Sequence, residues 1–153
     1  MDKETFDKAA DFLRKHVTGT IAQLGMLPAT FVLVTTESMH FVPIEDEDYD
    51  SKKGRLEQSF RLGVKSTGEP FDAVFLLSEA TIVNNADPDD HFEAAVVTGR
   101  DVTANLRVSS IARMDQFKFD EKGAEGHFRD NDSFHPEELD LFVSGAIGGG
   151  SLN

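Results

Sequence analysis

Apolar side chains recur at three- and four-residue steps over the first 24 residues, with charged side chains between them. Such spacing places the apolar positions on one face of an amphipathic helix. Asp2 is a typical N-cap residue, and Gly25 followed by Pro28 is a typical stop signal. The pattern therefore predicts a long first helix. Its apolar face consists of Phe6, Ala9, Ala10, Leu13, Val17, Ile21 and Leu24.

Several further segments have the composition of β-strands, because they are rich in β-branched and apolar residues or alternate between apolar and polar positions. The alternation is strictest near the middle of the chain and is typical there of a half-exposed antiparallel strand. Polar segments separate the strands: a loop at 84–91, a turn at 99–101 and a loop at 120–134. The predicted strands are residues 30–36, 39–44, 71–83, 92–98 and 102–112, with a short one at 117–119.

Two more helices complete the predicted elements. Apolar side chains at four-residue steps predict a second helix at 51–66. Pro136 is typical of the first turn of a helix, and it predicts a short C-terminal helix. The apolar positions of that helix are Leu139, Phe142 and Val143.

The order of these elements predicts the fold class. Short links between consecutive strands favour antiparallel pairing. We therefore expect an α+β fold with a mostly antiparallel or mixed sheet of five to six strands, two main helices and a short C-terminal helix. Residues 1–144 are expected to form this single domain, and the Gly-rich residues 145–153 are expected to form a flexible tail.

The strand at 71–83 is apolar on both of its faces. Phe75 and Leu77 belong to one alternating set, and Val74 and Leu76 belong to the other. A strand that is apolar on both faces is buried on both faces. Either helices cover both sides of the sheet centre, or a second subunit covers one of them. Because only two main helices are predicted, we expect a homo-oligomer, specifically a dimer.

The chain is strongly acidic, with 15 Lys and Arg against 28 Asp and Glu and a formal net charge of −13. Such a surface repels the phosphates of nucleic acids and of anionic membranes, so neither is an expected partner. No apolar run approaches the length of about 18 residues that a membrane span needs, and no signal peptide is expected. A cytoplasmic location is therefore expected. The lack of cysteine excludes disulfides, Cys-ligated metals and thiol nucleophiles.

Glu79 is the most informative candidate site residue, because it shares a face with Phe75 and Leu77 on the most apolar strand. An apolar environment raises the pKa of a carboxyl group, which would suit Glu79 to general acid or base chemistry. A structural carboxylate with a partner is the favoured alternative, since buried ionisable groups are usually paired. We therefore expect Glu79 to be at least partly buried and bonded. The expected partners are Arg107 and Arg113, with Arg61 third.

One acidic segment approaches the pattern of a calcium loop. Residues 45–50 hold five carboxylates, and Glu57 follows at the spacing of the last ligand. Ser51 stands where such a loop needs a glycine for its sharp turn. A solvated loop is therefore the favoured interpretation.

Two other segments combine carboxylates with imidazoles. Asp87, Asp90 and His91 offer oxygen and nitrogen ligands, but a turn rich in Asp and Pro needs no metal to explain it. Two histidines and two aspartates occur at 127–135, within a predicted loop where ligand geometry would be poorly held. No metal and no cofactor are therefore predicted.

The sequence Ser-Glu-Ala at 78–80 is followed by Asp-Pro at 87–88 and by Glu93. This run resembles a pattern in small uncharacterised prokaryotic and phage proteins, in which a strand ending Ser-Glu-Ala, usually followed by Trp, precedes an Asp-Pro turn and a Glu. Thr81 stands in place of that Trp in this chain. The resemblance implies no particular function.

Together these patterns predict a small acidic binding or accessory module that associates with itself. None of the common phosphate-binding, zinc-protease or serine-hydrolase motifs occurs. The alternative is a metal-dependent or acid–base hydrolase with a site around Glu79 and the loop at 87–91. A pocket around Glu79 with a bound metal would favour the enzyme, whereas a dry subunit interface would favour the module. The candidate site residues are Glu79, Asp87, Asp90, His91, Arg107 and Arg113.

Overall fold

In the computed structural model, the described part of the chain forms three α-helices, eight β-strands and one 3-10 turn. The helices are α1 (Lys3–Leu24), α2 (Lys52–Thr67) and α3 (Glu137–Gly148). The strands are β1 (Thr30–Val34), β2 (Met39–Pro43), β3 (Ala73–Asn84), β4 (Asp87–Asp101), β5 (Arg107–Arg113), β6 (Lys118–Asp120), β7 (Gly123–Glu125) and β8 (Arg129–Asp130). The described residues are 1–35, 37–44, 52–68, 70–84, 86–103, 105–120, 123–131 and 137–148.

Six of these strands form one sheet in the order β2-β1-β3-β4-β5-β8, and β6 pairs with β7 in a separate hairpin. Every pairing among the described strands is antiparallel. The predicted α+β fold is therefore confirmed, with an antiparallel rather than a mixed sheet. The two central strands are also the longest, with 12 residues in β3 and 15 in β4.

Helix α1 forms where the apolar periodicity predicts it. Asp2 caps its first turn, because its carboxylate accepts a hydrogen bond from the Thr5 backbone N–H at 2.8 Å. Gly25 ends the helix with a φ of 71°, a left-handed conformation that favours glycine, and its N–H donates to the Ile21 carbonyl. The predicted apolar face is buried except at its last position, where Leu24 is 60% exposed.

Helices of this chain cover both faces of the sheet centre. On one face, α1 packs against Val32, Phe75 and Leu77. On the other face, α2 and α3 pack against the alternate side chains of the same strands. Those side chains are Phe31, Leu33, Val74 and Leu76. The prediction of burial on both faces is confirmed for residues 73–77 of this strand, and within the described ranges helices of the same chain cover them.

Aromatic rings fill the core beneath α2 and α3. Phe60 lies edge-on to Phe31, with ring centroids 5.5 Å apart, and stacks on Phe142 at 5.8 Å. Such pairs contribute about 0.5–1.5 kcal/mol beyond the burial of their area. Leu139 and Val143 of α3 are also buried, as the apolar positions of the predicted C-terminal helix require.

Gly99 makes room for Phe75 on the face that α1 covers. The two residues lie directly opposite each other in the ladder between β3 and β4. A Cβ atom at position 99 would overlap the Phe75 ring. The ring therefore lies over the glycine, where it stacks on Phe6 with centroids 5.2 Å apart.

Several predicted boundaries are wrong in the middle of the chain. Residues 99–101 are the buried end of β4 rather than a turn, and β5 begins at Arg107 rather than at residue 102. Residues 87–91 belong to β4 and not to a loop. The predicted loop at 120–134 contains β7 and β8. Polar side chains in these segments are either exposed on a strand or buried and hydrogen-bonded. The amino-acid composition of such a strand resembles that of a turn, so composition alone does not separate the two.

Helix α3 continues through Gly148, past the predicted boundary at residue 144. The remaining residues of the predicted tail, 149–153, lie outside the described residues. No helix in the described ranges combines the length and the apolar character that crossing a membrane requires.

Replacing Gly99 with alanine is expected to lower the free energy of unfolding by about 1–3 kcal/mol, because the added methyl group displaces the Phe75 ring. Gly19→Ala is the matched control, since a Cβ at that helical position meets nothing within 4 Å. Alanine in a helix interior is favoured over glycine by about 0.5–1 kcal/mol. Urea denaturation of both variants measures these changes. A Gly99→Ala variant as stable as the parent would contradict this placement of Phe75.

Candidate functional site

The hairpin of β3 and β4 extends beyond the strands on either side of it. β1 pairs with β3 only as far as Leu77, and β5 pairs with β4 only from Ala94 onward. The remaining residues, 78–84 and 87–93, form a two-stranded ribbon that we call the arm. Neither outer edge of the arm pairs with a described strand.

The arm has two different faces, because alternate residues of a strand point to opposite sides of the sheet. On one face, the half-buried Ala80, Ile82 and Phe92 continue the core. On the other face, the Thr81 hydroxyl donates to Glu93 Oε1 at 2.7 Å, directly across the ladder. The arm is therefore anchored through one face and presents a largely polar face on the other side.

Glu79 lies on the arm and is exposed to solvent. It continues the face of Phe75 and Leu77 as the alternation predicts, but the burial of that face ends at Leu77, where pairing with β1 ends. Within the described ranges its carboxylate has no hydrogen-bond or ion-pair partner. Arg61, one of its expected partners, is bonded to Glu57 of α2 at 2.8 Å. The expectation that Glu79 is buried and bonded is therefore wrong.

The two arginines expected beside Glu79 lie on the opposite face of the sheet. Glu79 aligns with Ala95 of β4, which in turn aligns with Ala112 of β5. Neighbouring residues on a strand point to opposite faces, so Arg113 points away from Glu79. Arg107 has the same parity as Arg113 and lies at the far end of β5. This register excludes the expected pairing of either arginine with Glu79.

Arg113 instead supports the base of the arm. Its guanidinium lies over the Phe92 ring, 4.4 Å from the centroid. It also donates two hydrogen bonds to Asp115, at 3.2 and 3.1 Å. The hydrogen bonds to Asp115 raise the pKa of Arg113, and the charges of Asp115 and Asp90 act in the same direction. The Arg113 guanidinium thus packs Phe92 of the arm against the end of β5.

The acidic end of the arm forms local hydrogen bonds. The Asn84 amide donates to Asp90 Oδ2, and the Asp89 backbone N–H donates to Asp87 Oδ1, both at 3.2 Å. His91 is exposed on the neighbouring position of β4. In the part of the chain that the structure describes, no three metal-ligating side chains come together.

The two other segments that hold candidate cation ligands, at 45–57 and 127–135, lie partly outside the described residues. Residues 45–50 and Ser51, which approach the calcium pattern, lie outside the described residues. Asp132 and His135 of the segment 127–135 also lie outside them. The interpretation of these segments stays a prediction.

An ion-pair network around the buried Arg100, which no local sequence pattern indicates, ties α3 to the sheet. Arg100 is 5% exposed and donates to Asp140 Oδ1 of α3 at 3.0 Å. It also donates to the backbone carbonyls of Asp101 and Val102. Arg107 donates to the other oxygen of the Asp140 carboxylate at 3.2 Å. The role of Arg107 is therefore structural, because its partner Asp140 connects α3 to the sheet.

Asp101 organises the turn between β4 and β5. Its Oδ2 accepts a hydrogen bond from the Thr103 hydroxyl at 2.6 Å, and its Oδ1 accepts one from the Leu106 N–H at 3.0 Å. Desolvation raises the pKa of Asp101, but these hydrogen bonds and one from the Asn105 N–H outweigh it, so the pKa lies below its ordinary value. The carboxylate is therefore charged, and it fixes the turn that begins β5.

A groove of about 450 Å³ runs between α1 and residues 125–128. Arg14 lines it, donating through Nε to Ser110 Oγ at 3.2 Å and through Nη1 to Asp11 Oδ1 at 3.3 Å. The buried Ser110 hydroxyl also lies 3.4 Å from Asp130 Oδ1. These contacts hold the Arg14 guanidinium in place. Through Ser110 and Asp130 they join α1 to β5 and β8, so the groove is a packing contact between these elements.

The predicted site residues thus occupy three places rather than one cleft. The residues on the arm are Glu79, Asp87, Asp90 and His91. Arg113 supports the base of the arm, and Arg107 belongs to the network around Asp140. Comparisons of this chain with protein-family models, with curated proteins and with solved structures found no match. The geometry of the arm therefore carries the functional argument.

Replacing Asp101 with asparagine is expected to lower the free energy of unfolding by about 1–3 kcal/mol near neutral pH, because the charged acceptor of the hydrogen bonds from Thr103, Leu106 and Asn105 is lost. The pKa of Asp101 in the folded chain lies below its ordinary value of 3.8. Its stabilising contribution is therefore fully present above that value and is lost as the pH falls through the folded pKa.

Urea denaturation of the parent and of Asp101→Asn, from neutral pH to about pH 3, measures this contribution. The difference in stability between them is expected to become smaller in acid. A difference that stays constant over this range would show that the Asp101 charge does not contribute.

Proposed function

We propose that this protein is a binding module that associates with itself through the arm. The observation that carries the proposal is the outer edge of β3 at residues 78–84, which no described strand covers. A row of unpaired backbone N–H and C=O groups is a template for another strand. A two-stranded ribbon is also only marginally stable in water, so a further strand would stabilise the arm.

The two edges of the arm differ in how they are protected. The edge of β4 carries Pro88 and four carboxylates within residues 87–93. Proline and charge are features that block pairing at the edges of natural sheets. The edge of β3 carries one charged residue, Glu79, and a β-branched run at 81–83 that favours strand pairing. The edge of β3 is therefore the one that can accept a partner strand.

The structure supports self-association through the open edge of β3, whereas the sequence suggested it through the apolar faces of the central strand. Because α1, α2 and α3 cover both apolar faces of the sheet centre, those faces do not require a second copy. The open edge of β3 supports the same proposal, and Val83, which is 47% exposed, adds an apolar side chain to it. The exposed Glu79 offers no comparable support for the hydrolase alternative.

Light scattering over the micromolar concentration range is expected to give a mass near twice the 16.9 kDa of the chain. Thr81→Lys places a charge in the middle of the β3 edge and is expected to give a monomer. The variant is expected to fold, because Glu93 lies opposite position 81 and can pair with the lysine.

Leu62→Lys is the matched control, because Leu62 is 55% exposed on α2, which packs against β1, β2 and α3. This variant is expected to remain a dimer. A parent chain that has a mass of 16.9 kDa at every concentration would contradict the proposal.

A further inference from the structure

Pairing of the β3 edge with its own copy is restricted by symmetry. In a twofold dimer, residue i of one copy meets residue j of the other, and j meets i. If the same edge strand of two copies pairs antiparallel, the twofold axis must be perpendicular to the sheet. Equivalent faces of the two sheets then lie on the same side of the joined sheet. Since directly opposite residues share a face, one residue of the edge must lie on the axis and meet its own copy.

The sequence of the edge is self-complementary about Thr81. With Thr81 on the axis, Ala80 of one copy meets Ile82 of the other, and Glu79 meets Val83. The two threonines place small β-branched side chains opposite each other, and Ala80 and Ile82 form an apolar cross-strand pair, which is a favourable arrangement. An axis on Glu79 would instead place two carboxylates opposite each other. The alignment about Thr81 therefore avoids repulsion at every pair.

The length of the free edge favours the same position. The uncovered part of β3 runs from residue 78 to residue 84, and Thr81 is its midpoint. On the N-terminal side of residue 78, β1 already pairs with β3, so a partner strand cannot bind there. Moving the axis away from Thr81 in either direction therefore leaves fewer residues paired.

We infer that two copies of this chain pair antiparallel through their β3 edges, with Thr81 of each copy at the twofold axis. This inference rests on the proposed self-association and specifies its surface. The sheets of the two copies become one continuous sheet, and both α1 helices lie on the same side of it. The partner that fits this edge is thus a second copy of the chain.

The acidic residues of the arm weaken this pairing only at low salt. Four of the five carboxylates on the arm lie on β4, which is separated from its copy by the two β3 strands. At about 4.8 Å for each strand spacing, the two β4 strands lie about 14 Å apart. The Debye length is about 8 Å at physiological ionic strength, so the repulsion is largely screened. The dimer is therefore expected to dissociate more readily when salt is removed.

Single cysteines report the register directly, because the chain has none of its own. Thr81→Cys is expected to form a disulfide-linked dimer on mild oxidation, since opposite Cα atoms in an antiparallel pair lie about 4.5–5.5 Å apart. Glu79→Cys and Val83→Cys are each too far from their own copies to cross-link alone. A mixture of these two variants is expected to cross-link, because residue 79 of one copy meets residue 83 of the other.

Each of the three positions is exposed, so the variants are expected to fold. Leu62→Cys, on the exposed surface of α2, is the control for random oxidation and is expected to stay a monomer on non-reducing gels. A dimer by light scattering without this cross-linking pattern would overturn the inferred register and leave the proposed self-association intact. A monomer by light scattering would overturn both.

Discussion

The unequal length of neighbouring strands is the constraint on which the rest of this structure depends. β3 spans 12 residues, whereas β1 beside it spans five. Where the two strands run together, helices cover both faces of β3 and its side chains are buried. Beyond Leu77, β4 is the only described strand that pairs with β3, and alternate side chains become exposed. A single strand therefore serves as the centre of the core and as the open edge of the arm.

The part of the fold that depends on hydrophobic alternation can be predicted from the sequence. The continuous apolar run at 73–77 requires cover on both faces, and α1 on one side with α2 and α3 on the other provides it. The same reasoning fails at Glu79, because alternation shows which face a side chain lies on but not whether another element covers that face. The change after Leu77 from a continuous apolar run to a mixture of polar and apolar residues is the signal that indicates exposure.

Residues 99–101 could not be placed from local sequence, since Gly and Asp are common in turns. Gly99 belongs to a strand because the Phe75 ring occupies the space above it, and Arg100 is stable in a buried position because Asp140 accepts its hydrogen bond. Both partners are remote in sequence. Local sequence also does not show that Arg107 and Arg113 lie on the face opposite Glu79, because the start of β5 at Arg107 and its register with β4 depend on the turn that Asp101 organises.

The central claim is that a second copy covers the β3 edge of the arm. Hydrogen–deuterium exchange of the backbone amides at 78–84, followed at increasing protein concentration, tests this claim most directly. The amides that point away from β4 are expected to exchange more slowly as the concentration rises, while those at the outer edge of β2 (Met39–Pro43) keep a constant rate. Exchange rates at 78–84 that do not change with concentration would contradict the account.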